Sequence, residues 1–512
     1  MSIEMTGGVI LNKVLMILEV SRKQDYIFSS RKLRENVARS SEIREVTESD
    51  YFRKHARKLY NEDENLVYSG GGHTVLQFRD KASAAAFARS VSSAVIRQFP
   101  DMELYLKTIP FDETKTPGEN LRCLTEALER KKALRTPSFR WLSFGVEAID
   151  RETWQPEIPQ PDRGTPREPV SPPEGYRFPR DFRDLAGDDN FIAVIHIDGN
   201  AMGKRVSSLL DAEASDWDAA CNRLRRFSEG VDSDYRAAFS ETVETVLRTP
   251  MPANGQWLPI RPVILAGDDV CFVSAGSIGL ECARIFLEHL TAKTNPEDHK
   301  PYSACAGVAL VHLRYPFHMA YALSESLCSS AKRFSAALDP ESSVSAMDWH
   351  IEFGQLKNSL TEIRDDYITE DGQRLDLRPV AVTVPTGVKI DVDPARTYGF
   401  FRSMCTALRG EYGRIARGKL KELRVALKQG ETETEFYLTD RKIRELLEHV
   451  FTSTYRSDDE RWERYREMLR TGVPITKEAF IALEGEDVKR SLFFDAIEMI
   501  DHFTPLEEVP ES

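Results

Sequence analysis

Three aspartates have the residue type and spacing of a metal-dependent phosphoryl-transfer site. Asp198 ends the apolar run Phe191–Ile197. Asp268 and Asp269 sit in the tetrapeptide Ala266-Gly267-Asp268-Asp269, between the apolar runs 262–265 and 270–273. Strands carrying these runs side by side would bring the three carboxylates to one sheet edge. Clustered carboxylates repel unless a cation lies among them. Mg²⁺ (or Mn²⁺) suits such a set, because a hard ion takes carboxylate, water and phosphate oxygen. Two such ions about 4 Å apart would activate an attacking hydroxyl and stabilise leaving pyrophosphate. Asp198, Asp268 and Asp269 are thus both the candidate metal ligands and the candidate catalytic residues.

A phosphate-binding part lies beside them. Gly199, Asn200, Ala201, Met202 and Gly203 bend the chain from strand into helix. Backbone N–H groups at such a start are partners for a triphosphate. Lys204 and Lys332 add candidate charges. Gly267, lacking a side chain, lets a nucleotide approach the turn.

Plainer readings compete. A lone Gly-Asp-Asp is usually a turn, and Ala186-Gly187-Asp188-Asp189 repeats the tetrapeptide with no strand before it. That copy reads as a loop. The copy at 266–269 differs in its flanking strands and its partner Asp198. His196 alternates within a strand and reads as a core or edge histidine. His73, beside three glycines, leans the same way. Lys204 and Lys332 also fit a solvated surface.

The elements that must hold these residues follow from hydrophobic pattern. Strand 191–197, helix 215–247, hairpin 262–273, helix 277–292 and strand 303–311 form an ordered series. Helix 317–333 and strand 343–351 continue it. That is the order of a ferredoxin-like palm, a mostly antiparallel sheet with helices on one face. Residues 14–107 repeat the order: strand 14–18 ending at Glu19, helix 31–58, hairpin 66–78, helix 82–98 and strand 103–107. Aligning the hairpins puts Gly70 on Gly267, and Gly71 and Gly72 on Asp268 and Asp269. The duplicate keeps the turn and loses the acids. Gly70 and Gly71 become candidate contacts for a second nucleotide. The fold class is α+β, with two ferredoxin-like palm domains and an α-helical C-terminal domain. The predicted boundaries are 9–150 for the degenerate palm, 151–184 for a Pro-rich linker and 185–352 for the catalytic palm. A connector, 353–394, and the helical block 395–512 complete the chain. A last helix is expected over Val488–Phe503, with a packing stripe of Leu492, Phe493, Ile497 and Ile500.

The chain has 512 residues, too many for one ordinary domain. Its net charge of −13 argues against a wholly nucleic-acid-binding surface. The basic run from Arg402 to Lys428 reads as a solvated helix face, with RNA contact as the alternative. The seven cysteines form no CxxC pair and read as buried free thiols in a reducing compartment. No apolar run has the roughly 20 residues of a membrane span, and the polar Met1–Gly8 lacks a secretory pattern. A cytoplasmic location is the expectation, with no membrane partner.

At this point the motifs resemble a known family. Ile195-His-Ile-Asp198-Gly-Asn-Ala-Met-Gly-Lys204, Ala266-Gly-Asp-Asp269, and Ser303-Ala-Cys-Ala-Gly307 before Ala331-Lys332 are similar to the second palm of the large polymerase/cyclase subunit of type III CRISPR effectors. Asp25-Tyr-Ile-Phe-Ser-Ser-Arg-Lys-Leu33 with Tyr68-Ser-Gly-Gly-Gly72 resembles its degenerate first palm. The resemblance covers about residues 10–350. It implies condensation of ATP into cyclic oligoadenylate second messengers in antiviral defence. It places Asp198, Asp268 and Asp269 on the metal-binding acids, and Lys332 near a basic position. Nucleoside triphosphates are the implied ligands, with RNA or other effector subunits as further partners. Ala266 stands where the family usually has Gly. No His-Asp pair precedes residue 9, and no zinc-binding cysteines separate the palms. The expectation is therefore a compact form without the HD nuclease or the zinc element.

Two other readings stay open. A diguanylate-cyclase-like enzyme shares the palm, but Val270 and Cys271 follow the acids where that family's signature would continue. A non-catalytic nucleotide- or RNA-binding scaffold is the other, and it has no need of a costly carboxylate cluster. Oligomeric state is not legible.

Overall fold

The computed structural model describes residues 13–134, 167–185, 190–212, 216–248, 256–354, 359–409, 415–443 and 480–506, with positions 146, 148, 149, 357 and 460. The loop copy at 186–189 and Arg414 of the basic run lie outside the described residues, as does 151–166 of the Pro-rich stretch.

The first sheet has β1 (Val14–Ser21), β2 (Leu66–Gly70), β3 (His73–Phe78) and β4 (Glu103–Pro110), in the order β2-β3-β1-β4. All its pairings are antiparallel. Every residue from Val14 to Leu18 is apolar, so both faces of β1 need cover. Val14, Met16 and Leu18 join a core with Val37, Phe52 and Phe87. Leu15 and Ile17 pack against Leu124 and Leu128, on the helix Pro117–Ala133. Thr116 and Glu119 start that helix with a reciprocal capping box.

The second sheet contains β5 (Phe191–Gly199), β6 (Ile260–Ala266), β7 (Asp269–Ala275), β8 (Ala304–His312), β9 (Ser345–Glu352) and β10 (Val380–Thr383). Its order is β10-β9-β8-β5-β7-β6. The run β6-β7-β5-β8 reproduces the strand order of the first sheet, that of a ferredoxin-like βαββαβ unit. The pairing of β8 with β9 is parallel, joined by the helix Phe317–Leu338.

That crossover corrects the expectation of helices on one face. Ala193, Ile195 and Ile197 share a core with helices Trp217–Arg248 and Gly279–Thr291. Val194, Val273 and Val311 share one with Ala320, Tyr321 and Leu327 of the crossover helix. The physical reason is the parallel β8–β9 pair, which requires a crossover lying over one face. Gly307 permits the contact: a β-carbon there would stand 1.9 Å from the Ser324 carbonyl oxygen.

Two further differences follow from pairing. The stretch read as a connector supplies β10, which extends the sheet through Val380 opposite Met347. The helix expected over Val488–Phe503 is interrupted. Lys489–Ser491 forms β12, paired with β11 (Phe480–Ala482), and only Phe494–Met499 is helical. The Asp495 carboxylate accepts from the Leu377 and Arg378 amides, and Glu498 pairs with the buried Arg378. The stripe of Leu492, Phe493, Ile497 and Ile500 is buried as its pattern implies. Helices Tyr398–Arg409, Arg417–Gln429 and Glu431–Asp440 lie in the C-terminal part. Among the described residues, no helix is long and apolar enough to cross a membrane.

Candidate active site

Antiparallel register makes Asp198 of β5 and Asp269 of β7 direct partners. Directly opposed residues share a sheet face, so both side chains project to the same side. Asp268 precedes Asp269 in the two-residue turn that closes Ala266 onto Asp269. Gly267 opens that turn at φ +66°, the left-handed region that favours glycine.

The acids are electrostatically strained. Burial pushes Asp268 up to about 6, and repulsion from Asp198 adds to it. Burial also raises Asp269; His196 works against that shift and Asp198 adds to it. Asp269 Oδ1 is buried without a hydrogen-bond partner, and His196 Nδ1 lies 3.7 Å away. Lys332 supplies the local positive charge. Its Nζ lies 2.6 Å from Asp198 Oδ2 and donates to the Gly199 carbonyl at 2.9 Å. Burial opposes that charge, and Asp198 outweighs it, so the lysine is held above its ordinary value.

The donor set fits a hard divalent ion in kind. It is all carboxylate oxygen, with Asp269 Oδ1 orphaned while the Asp198 and Asp269 side chains remain 39% and 47% exposed, and a cation would relieve the repulsion. The expected convergence is incomplete in geometry. Among the described residues, no three His, Cys, Asp or Glu side chains form a ready-made metal cluster. Asp198 and Asp269 oppose each other, Asp268 adjoins in the turn, and Lys332 engages Asp198.

The strand-to-helix bend is used differently from the sequence reading. The Asn200 amide N–H donates to the Ser303 carbonyl, and its side chain donates to the Ser342 and Val344 carbonyls. Asn200 therefore fastens the bend to the segment leading into β9. Gly199 is a packing glycine. A β-carbon there would stand 2.7 Å from Tyr235 Oη and 3.0 Å from Asp268 Cβ. Gly203 lies in open space near the start of helix Met202–Ala212. Lys204 Nζ donates to the Pro340 carbonyl at 3.0 Å, away from the acids.

The first-sheet hairpin requires a correction of register. Gly70 pairs with His73, so Gly71 and Gly72 form the turn, at φ +56° and +75°. Gly70 thus matches Ala266, Gly71 matches Gly267, Gly72 matches Asp268 and His73 matches Asp269. The pairing of Glu19 with His73 repeats that of Asp198 with Asp269. Lys132 completes the parallel, with Nζ 2.6 Å from Glu19 Oε1. Sequence reasoning missed Lys132; the signal was its place in the helix after β4, as Lys332 lies in the helix after β8. Burial first, then Lys23, presses His73 down to about 4, so the duplicate site holds a neutral imidazole.

The two turns approach each other. Gly71 N lies 4.0 Å from where a β-carbon on Gly267 would stand. A cavity of about 1150 Å³ opens beside them, lined by Gly70, Gly71, Gly267, Asp269, Lys23 and Arg236. That exceeds the roughly 300 to 1,000 Å³ of ordinary small-ligand pockets.

No family model matches this chain, and no curated protein matches it. Solved structures do match. A crystal structure of Csm1 in T. onnurineus is 16% identical, with a TM-score of 0.55, over 88% of this chain and 67% of that one. The Csm1-Csm4 cassette in complex with cA3 is 15% identical, with a TM-score of 0.55, over 96% and 69%. The Csm1-Csm4 subcomplex in the type III-A CRISPR-Csm interference complex is 15% identical, with a TM-score of 0.53, over 96% and 70%. This is the Csm1 fold. The chain spans 53 to 70% of the lengths of the Csm1 chains it matches. At these identities the likeness is one of fold.

Proposed function

We propose that this chain is a Mg²⁺-dependent nucleotidyltransferase, the polymerase/cyclase subunit of a type III CRISPR effector, which condenses ATP into cyclic oligoadenylates. One observation carries the reading. Asp198 and Asp269 are cross-strand partners with Asp268 beside them in the turn, on a fold shared with Csm1. Csm1-Csm4 cassettes have been solved in complex with cA3, cA4 and AMPPNP. In this reading the two sheets are palms, the second catalytic and the first degenerate, and a Csm4-like subunit is the expected partner.

Divalent ions, when bound, would neutralise the acids and polarise the reacting phosphate. The chain's own residues do the remainder. The Asp198–Asp269 pair and Asp268 fix where that charge sits. Lys332 holds Asp198 and the Gly199 carbonyl in place. The cavity beside the turns, which Asp269 alone of the three acids lines, brings two nucleotides together, and such positioning removes much of the entropic barrier. A ribose hydroxyl of one then attacks the α-phosphorus of the other. A phosphodiester forms, pyrophosphate leaves, and the hydroxyl proton passes to solvent.

The test is incubation of purified protein with labelled ATP, GTP, CTP and UTP, singly and mixed, with Mg²⁺ or Mn²⁺, followed by mass spectrometry. An oligonucleotide that disappears in Asp268→Asn supports the reading. An oligonucleotide made equally well by Asp268→Asn overturns the assignment of the acids. Failure to bind nucleotide at all favours the RNA-binding scaffold.

A further inference from the structure

Tyr235 lies on the helix Trp217–Arg248 and is 1% exposed. Its ring is packed edge-on against Tyr302, with centroids 5.7 Å apart, and also meets Phe286. Packing explains the ring. It does not explain the hydroxyl, which is buried and has no hydrogen-bond partner. A buried polar group without a partner is costly, and Phe would fill the same space without that cost.

The surroundings show what the hydroxyl is aimed at. Oη lies against the bare face of Gly199, where a β-carbon would be 2.7 Å away, and Asp268 Cβ crowds the same point at 3.0 Å. Phenol and aspartate thus face the same bare side of Gly199, immediately after Asp198. The charges of Asp268 and then Asp198 bear on the phenol, with Arg205 as the opposing charge. The Arg205 guanidinium is engaged with Asp298, and Tyr302 donates its own hydroxyl to Asp234. Of the two carboxylates that bear on the phenol, Asp198 is held by Lys332, which leaves Asp268 as the acceptor to turn toward Oη.

Resting on the metal-site reading of the acids, we propose that Tyr235 is a positioning residue for Asp268. Its hydroxyl donates to one carboxylate oxygen of Asp268 when the other is engaged by a divalent ion. The proposal gives the orphan hydroxyl an acceptor and gives Gly199 a reason to be glycine. It also provides a support that fixes the aspartate's orientation, as hydrogen bonds behind metal ligands commonly do. Tyr235 touches neither substrate nor ion in this role.

The probe is Mn²⁺, whose free fraction is read by electron paramagnetic resonance in wild type, Asp268→Asn and Tyr235→Phe, with melting temperatures taken without metal. The expected result is tight binding by wild type, loss in Asp268→Asn, and a several-fold weaker Kd in Tyr235→Phe. That variant should melt no lower than wild type, since it loses only an unsatisfied hydroxyl. Equal Mn²⁺ affinity in wild type and Tyr235→Phe overturns the role of Tyr235 and leaves the metal site standing. Wild-type protein that binds no Mn²⁺ overturns the metal site and the role together. If Tyr235→Phe does not fold, the ultraviolet difference spectrum of wild type on Mn²⁺ addition decides. A red-shifted tyrosine band that is lost in Asp268→Asn supports the hydrogen bond, and its absence from wild type overturns it.

Discussion

Lys332 Nζ sits 2.6 Å from Asp198 Oδ2, and the same ammonium holds the carbonyl of the next residue, Gly199. The lysine therefore clamps the end of β5 through a side chain and a backbone oxygen at once. It reaches there from a helix seated directly on Gly307 of β8. Without bound metal, Lys332 is the cation that balances Asp198. Replacing it by alanine leaves that carboxylate to repel Asp268 and Asp269. Both partners are about one-third exposed, so the pair contributes roughly 1 kcal/mol or less. Lys332→Ala should lower the metal-free melting temperature by about 1–2 °C at most. Mg²⁺ should then raise it more in the variant than in wild type. Calorimetry at matched Mg²⁺ concentrations checks this, and an equal Mg²⁺ response in both proteins contradicts the balancing role.

Asp268 gives stability a dependence on pH with a definite sign. Its folded value is raised from 3.8 to about 6, chiefly by burial. The folded state therefore binds the proton more tightly than the unfolded chain. That contribution is fully present below 3.8 and is lost as pH rises through about 6. Metal-free Asp268→Asn should be the more stable protein at about pH 7, by roughly 1–2 kcal/mol after allowance for solvent screening. The advantage should vanish as pH falls to about 4. Urea titrations of both proteins across this range, in chelator, measure the difference. A gap that does not change with pH refutes the raised carboxyl.

The two glycines of the bend separate packing from ligand approach. A β-carbon on Gly199 would meet Tyr235 Oη at 2.7 Å, Met202 Cγ at 2.8 Å and Asp268 Cβ at 3.0 Å. Gly199→Ala should destabilise by about 1–3 kcal/mol, as overpacking does, and should depress synthesis by displacing Asp268. Gly203 has nothing within 4 Å of a β-carbon and lies in a helix. Gly203→Ala should gain up to about 1 kcal/mol of helix stability. If it also keeps the wild-type rate, the phosphates do not approach that backbone. A lost rate with a raised melting temperature would restore Gly203 to the nucleotide site.

Much of this arrangement was legible because several inner strands are largely apolar runs. Phe191–Ile197 and the runs at 262–265 and 270–273 announce a buried hairpin and its neighbour, and Asp198 and Asp268–Asp269 stand out against them. The register at 69–73 was not legible. Three consecutive glycines carry no side-chain pattern, and register is set by which side chains face the core. Only the pairing of Gly70 with His73 shows which two make the turn. Tyr235 was hidden for another reason. On its helix it reads as one more apolar position, and its hydroxyl gains meaning only where it meets Gly199. The broken helix at 488–503 shows the opposite failure, in which a helical stripe was right about burial and wrong about backbone. Strand pairing of Lys489–Ser491 overrode the periodicity.

The contact between β8 and the crossover helix carries the last prediction. A β-carbon on Gly307 would lie 1.9 Å from the Ser324 carbonyl oxygen, 2.3 Å from the Cys328 amide nitrogen and 2.9 Å from the Leu327 carbonyl carbon. All three are backbone atoms, so no side-chain rotation relieves the clash. The helix must lift, and Lys332 lifts with it. Gly307→Ala should cost about 3 kcal/mol or more, at the upper end of overpacking penalties. Chain that still folds should lose synthesis, because Lys332 can no longer reach Asp198 and the Gly199 carbonyl. Lys332→Ala in the same background separates the two effects. If the helix has moved, the second substitution adds almost nothing to the loss of stability. If the two penalties add in full, the helix has stayed in place and the clash has been absorbed elsewhere.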